Sequence, residues 1–141
     1  MLKNLLNDIK NISSKQPNIG LVHIGDVYEL NENQQVEYPA IVITSQYNTL
    51  SIKSKQLNST INIFAVERLT EDKSNEIDVK DWAISVLYTI VKELSKKYII
   101  NDQLTCNVFT ERFGSVCAGA YITLQITTGV NECNRLDYEK E

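Results

Sequence analysis

The sequence is poor in the side chains that do chemistry. Its 141 residues hold one histidine, three cysteines, two prolines, five glycines and one tryptophan. The lone histidine, His23, has no partner in a recognisable metal-ligand or triad spacing. Cys106, Cys117 and Cys133 are odd in number and lack a C-x-x-C pair, so they suggest neither a disulfide framework nor zinc. There is no glycine-rich phosphate loop. No segment approaches the roughly 18 apolar residues that span a bilayer. Positive charge is also short: 14 Lys and Arg against 18 Asp and Glu give a net charge of −4 and a pI of about 5.1. Broad contact with a phosphate backbone needs a basic stripe, which this chain lacks. The first residues are broken by Asp8 and Lys10 too early for a signal peptide. Reduced thiols in a cytoplasm are expected, and the two Asn-X-Ser/Thr matches at Asn11 and Asn58 then occur by chance.

What is present is pattern. Hydrophobic residues make up 43% and charged residues 23%, the balance of a folded domain long enough to bury one core. Leu2, Leu5, Leu6, Ile9 and Ile12 recur at helical spacing, predicting an amphipathic helix over about 2–14 that Pro17 and Gly20 end. Short β segments are expected at about 19–24 and 27–30, then an exposed polar loop over 31–37. The β-branched run after Pro39 reads as a strand buried on both faces. A strand with one exposed side follows near Leu50–Lys53, and a longer one runs from Thr60 to Leu69.

Val79, Trp82, Ala83, Val86, Leu87, Ile90, Val91 and Leu94 share one broad face, predicting a long helix over about 77–98. Asp78 is its expected N-cap. Residues 104–113 and 116–128 read as a hairpin about Gly114-Ser115. In its second strand Val116, Ala118, Ala120, Ile122, Leu124 and Ile126 take one face, while Cys117, Gly119, Tyr121, Thr123, Gln125 and Thr127 take the other. The expectation is one α+β domain over 1–130, with a flexible charged tail at 131–141. Its sheet is mostly antiparallel or mixed, of about five or six strands, packed against the long helix and the N-terminal one.

Residues with chemical potential have structural readings beside them. His23 near Asp26 would make a general base, but no nucleophile is placed beside it by any motif. Cys106 and Cys117 read as small packing groups. Glu71, Asp72, Glu76, Asp78 and Asp81 do not have the alternate oxygens and sixth-position glycine of a calcium loop. Trp82 falls on the apolar stripe of the long helix. No catalytic residue, metal or cofactor is therefore expected. Surfaces remain, and the interface candidates are Leu2, Leu5, Leu6 and Ile9 on the first helix, Gln34 and Gln35 in the first polar loop, and Glu71, Asp72 and Asn75 in the second. Arg112 and Tyr121 on the hairpin and Arg135 in the tail complete the set. The leucine-rich face of the first helix is expected to be buried on the chain's own sheet, with a neighbouring subunit as the alternative.

The order of these segments is similar to a viral pattern. The carriers are the leading helix, Tyr38-Pro39-Ala40-Ile41-Val42-Ile43, the strand entering Glu67-Arg68-Leu69-Thr70-Glu71-Asp72, and Ser74-Asn75-Glu76 before the long helix. The closing hairpin with Thr110-Glu111-Arg112-Phe113-Gly114 and Ala118-Gly119-Ala120-Tyr121 adds to them, as does Asn131-Glu132-Cys133. Together they resemble the tail terminator, tail-completion and neck-ring (head–tail connector) proteins of tailed bacteriophages, over about residues 1–134. The resemblance implies a virion structural protein, made in the host cytoplasm, without catalytic residues. It implies a homo-oligomeric ring of roughly six or twelve copies, contacting portal-side, connector or tail proteins. DNA would pass through such a ring without sequence-specific binding, and an acidic subunit would repel phosphate there. Two other readings stand beside it. One is a small adaptor acting as a dimer, capturing a peptide on strand 116–128 or on an exposed edge. The other is a small enzyme using His23 or Glu111 as acid or base.

Overall fold

A computed structural model describes residues 1–31, 36–113 and 115–130, with no account of the side chains of Tyr28, Asn31 and Glu111–Ser115. Gln34, Gln35 and Arg135, the charged tail and the side chain of Arg112 lie outside what is described. The first helix, α1, runs Leu2–Ser14, as its spacing predicts. Strand β1 (Leu21–Ile24) precedes a short 3-10 helix, Val27–Asn31. Strands β2 (Ala40–Ser51) and β3 (Gln56–Arg68) form a long hairpin. Helix α2 (Glu76–Leu94) is followed by β4 (Cys106–Phe113) and β5 (Ser115–Gly129).

The five strands lie in the order β1-β2-β3-β5-β4. Only β1 runs parallel to its neighbour; the other three pairings are antiparallel, so the sheet is mixed and the chain is α+β. Both helices cover one face. There Leu5 and Ile9 of α1 join Ile41, Ile43, Ile61 and Ile63 of the sheet and Leu87 and Ile90 of α2 in one core. Period-two alternation in the strands and 3.6-residue spacing in the helices put these groups on facing surfaces. Leu6 packs on the margin of the same core. The leucine-rich face of α1 is thus occupied by the chain's own sheet.

Several expectations need correction. Residues 27–31 are 3-10 helix and not strand; Val27 and Leu30, three residues apart, cover Val42 and Val66 on the far face of the sheet. They close a second, smaller cluster with Ala40 and Cys117, which explains why the run after Pro39 is buried on both sides. Leu50 and Ser51 end β2, whereas 52–55 form the turn. Strand β3 starts at Gln56, four residues earlier than its apolar run indicates. Helix α2 begins at Glu76 and ends at Leu94; Asn75 takes the N-cap position and Asp78 lies in the first turn. The α2 helix is held to β4 by Glu76, whose Oε1 accepts from Lys80 Nζ at 2.8 Å and from Thr110 Oγ1 at 2.7 Å. These bonds, the Lys80 one first, hold the Glu76 carboxyl below its usual range.

Candidate functional site: the open edges of the sheet

Residues 70–75 read as a polar arm in sequence, but they bind one another. Asp72 Oδ1 accepts from Thr70 Oγ1 at 2.8 Å and from Ser74 N at 3.1 Å, while Asn75 Oδ1 accepts from Thr70 N at 2.9 Å. The amide of Asn75 donates back to Arg68 O at 3.3 Å. These are side-chain turn bonds that fix a loop locally. Glu71 is exposed beside them. The structure brings none of these three next to α1, whose Leu5 and Ile9 are core residues and whose Leu2 is partly buried.

His23 lies on β1, 3.3 Å from Glu29 Oε2. Glu29 Oε1 accepts from Asp26 N at 2.8 Å, so the carboxylate facing the imidazole is Glu29 and not the expected Asp26. The 3-10 helix, unrecognised in the sequence, is what folds Glu29 back. Cys106 and Cys117 do not meet: Cys106 pairs across from Ile122 and is exposed, whereas Cys117 pairs with Glu111 and Arg68 and is buried. Burial pushes the Cys106 thiol up, away from the thiolate a nucleophile needs. Among the described residues no group of three or more His, Cys, Asp or Glu is placed to hold a metal. No described helix is long and apolar enough to cross a membrane.

The informative geometry lies at the two lateral edges. Strand β1 covers β2 only from Ala40 to Ile43. Beyond it, residues 45–51 of β2 pair with β3 on one side and with no described strand on the other. An open strand edge invites another strand, and natural sheets usually blunt it with charge or proline. Here it carries Tyr47, 59% exposed, and Leu50, 64% exposed, with Ile52 at the following turn. Tyr47 is level with Thr60 and Leu50 with Leu57, so their side chains project on opposite faces of the sheet. A shift in register between Ser45 and Tyr47 sets this alternation.

Among the described strands, β4 ends the other side of the sheet. On its helix-side face a groove of about 410 Å³ opens between α2 and β4, with Ile84, Leu87, Tyr88 and Val91 on one wall and Leu104 and Cys106 on the other. Val108 continues that wall, half exposed. On the far face Phe109 lies across from Gly119 and packs against Phe64 and Tyr121, with ring centroids 6.2 and 6.4 Å away. The Phe64 and Tyr121 rings are 5.0 Å apart. Tyr121, an interface candidate from sequence, is thus part of an aromatic cluster beside the β4 edge. Strand β5 is flanked by β3 and β4 from Ser115 to Ile122, but beyond Ile122 its residues 123–129 pair with β3 on one side and with no described strand on the other. Sequence reasoning missed Tyr47, Leu50, Ile84 and Tyr88. Tyr47 and Leu50 are lone apolar residues between polar ones, and Ile84 and Tyr88 follow the buried Ala83 and Leu87 of the apolar stripe, so their exposure had no separate signal.

No protein-family model matches the sequence, and no curated protein matches it either. Among solved structures it is similar to that of the bacteriophage SPP1 gp17 protein, with a TM-score of 0.46 and 15% identity over 92% of this chain and 91% of that one. No residue role and no function passes from one chain to the other on that basis.

Proposed function

We propose that this chain is a structural subunit of a tailed-bacteriophage particle and works by assembling with copies of itself. The finer reading is a ring at the head–tail junction or the head-proximal end of the tail, which joins connector to tail around the DNA path. The observation that carries it is the pair of open, apolar-bearing edges on opposite sides of one sheet, at 45–51 of β2 and along β4. A ring needs two different surfaces on each subunit, because head-to-tail contacts close only when one patch meets another. The order of sequence segments described above supports the viral assignment, and the acidic net charge suits a channel for DNA. On this reading the chain is not an enzyme, takes no cofactor, and meets portal-side or tail proteins above and below the ring.

Deleting its gene from the phage that encodes it tests the reading. The expected result is DNA-filled heads and separate tails, restored to joined particles by supplying the chain in trans. Normal infectious particles from the deletion would overturn it.

A further inference from the structure

We propose that residues 45–51 of one copy seat on the β4 edge of a second copy, adding a strand to its sheet with Leu50 in the α2–β4 groove and Tyr47 against the aromatic cluster. The inference deepens the assembly reading above and rests on it. Four features of the chain argue for a second copy as the occupant.

The first is direction. Strand β2 is antiparallel to β3, β3 to β5, and β5 to β4, so β4 runs opposite to β2. Two copies set side by side in the same orientation therefore bring β2 of one antiparallel to β4 of the next. That is the better-bonded pairing and needs no inversion of either copy. The second is length: seven open residues of β2 face eight residues of β4.

The third is two-sidedness. A strand added at β4 meets the apolar groove on the helix side and the ring cluster on the far side. Residues 45–51 carry one large apolar group for each face, Leu50 on the helix side and Tyr47 on the other. The fourth is charge. Lys53 and Lys55 are the sole charged residues between Thr44 and Val66, and both are exposed. With Leu50 in the groove, an antiparallel strand carries this basic turn toward Asp102, which with Lys92 makes up the charged groups lining the groove.

The offset between the two edges sets the form of the assembly. Phe109 is level with Gly119 and then Val66, while Asn48 in the middle of the open β2 segment is level with Ser59, seven residues from Val66 along β3. That is a stagger of about 23 Å over the four strand spacings, about 19 Å, from β2 of one copy to β2 of the next. The strands would then lie at roughly 40° to the direction of propagation. A repeated head-to-tail contact of this kind forms a ring when its rotation closes.

Two variants on exposed positions test the pairing: Leu50→Glu on the β2 edge and Tyr88→Glu on the groove wall. Their folding is checked by circular dichroism and thermal melts. Sedimentation velocity is run on wild type, each variant and an equimolar mixture, in identical buffer. The expected result is oligomeric wild type, association weakened at least tenfold in each variant alone, and a one-to-one heterodimer in the mixture. The heterodimer forms because each variant keeps one intact half of the contact, and it cannot grow further. Either folded variant assembling like wild type would overturn the interface while leaving the assembly reading standing. So would a mixture that gives no heterodimer. A wild-type chain that stays monomeric at every concentration would overturn the interface too, and the gene deletion then decides the wider reading separately.

Discussion

At the scale of single residues, Gly119 and Asp8 show how little freedom the fold leaves. A Cβ placed on Gly119 would sit 1.8 Å from Ala65 O, so the backbones of β3 and β5 would have to part. Gly119→Ala is expected to lower stability by about 2 kcal/mol or more, read by urea unfolding. Phe109 of β4 lies across from this glycine and packs edge-on to Phe64 of β3, with ring centroids 6.2 Å apart. Asp8 of α1 accepts from Lys97 Nζ at 2.8 Å and from Tyr98 OH at 2.5 Å, pinning the helix to the segment after α2. The Lys97 bond, then the Tyr98 bond, holds the Asp8 carboxyl below its usual value, while burial and Asp8 push Tyr98 up to about 12. A lowered folded-state value stabilises the protein at neutral pH, and that contribution is lost as pH falls through the carboxylate range. Asp8→Asn should therefore cost about 1 kcal/mol at pH 7. The difference from wild type in thermal melts should shrink below about pH 4. A constant difference across that window would contradict the assignment.

At the scale of elements, burial separates core from surface. Ile9→Ala, in the wholly buried stripe of α1, is expected to destabilise by about 2–5 kcal/mol. Ile52→Ala, 89% exposed at the β2–β3 turn, should change stability by about 0.5 kcal/mol or less. Both are read by denaturant unfolding. The elements that could be read from sequence are those with one buried and one solvated face. Helix α1 showed a clean 3.6-residue stripe, and β5 an alternation that the structure reproduces from Ala120 to Ile126, whereas Cys117 to Ala120 are buried on both faces. The elements misread lacked that contrast. The outer half of β2 and the first residues of β3 carry only scattered apolar groups, Tyr47, Leu50 and Leu57, among polar residues, so period two had little to mark. The 3-10 helix at Val27–Asn31 is one turn long, too short for its spacing to be told from a strand. The candidate site was less legible still. It is made by the ends of a strand order that no local pattern encodes, and its apolar groups gain meaning only once β2 and β4 are seen to be the uncovered sides.

At the scale of the whole molecule, one sheet carries a helical layer over most of one face and a small apolar cap on part of the other. Among the described residues its lateral edges are open where β1 stops short of the end of β2, along β4, and beyond Ile122 of β5. Edges of this kind are a liability in a free monomer and a resource in an assembly. Under the proposed assembly, copies of the chain join side by side with strands running on from one subunit to the next. The most direct measurement is cryo-electron microscopy of the phage particles that encode this chain. The expected density is a closed ring of this subunit at the head–tail junction or the head-proximal tail end, with residues 45–51 of each copy lying along β4 of its neighbour. A particle that lacks the chain at the junction and at the head-proximal tail end would contradict it.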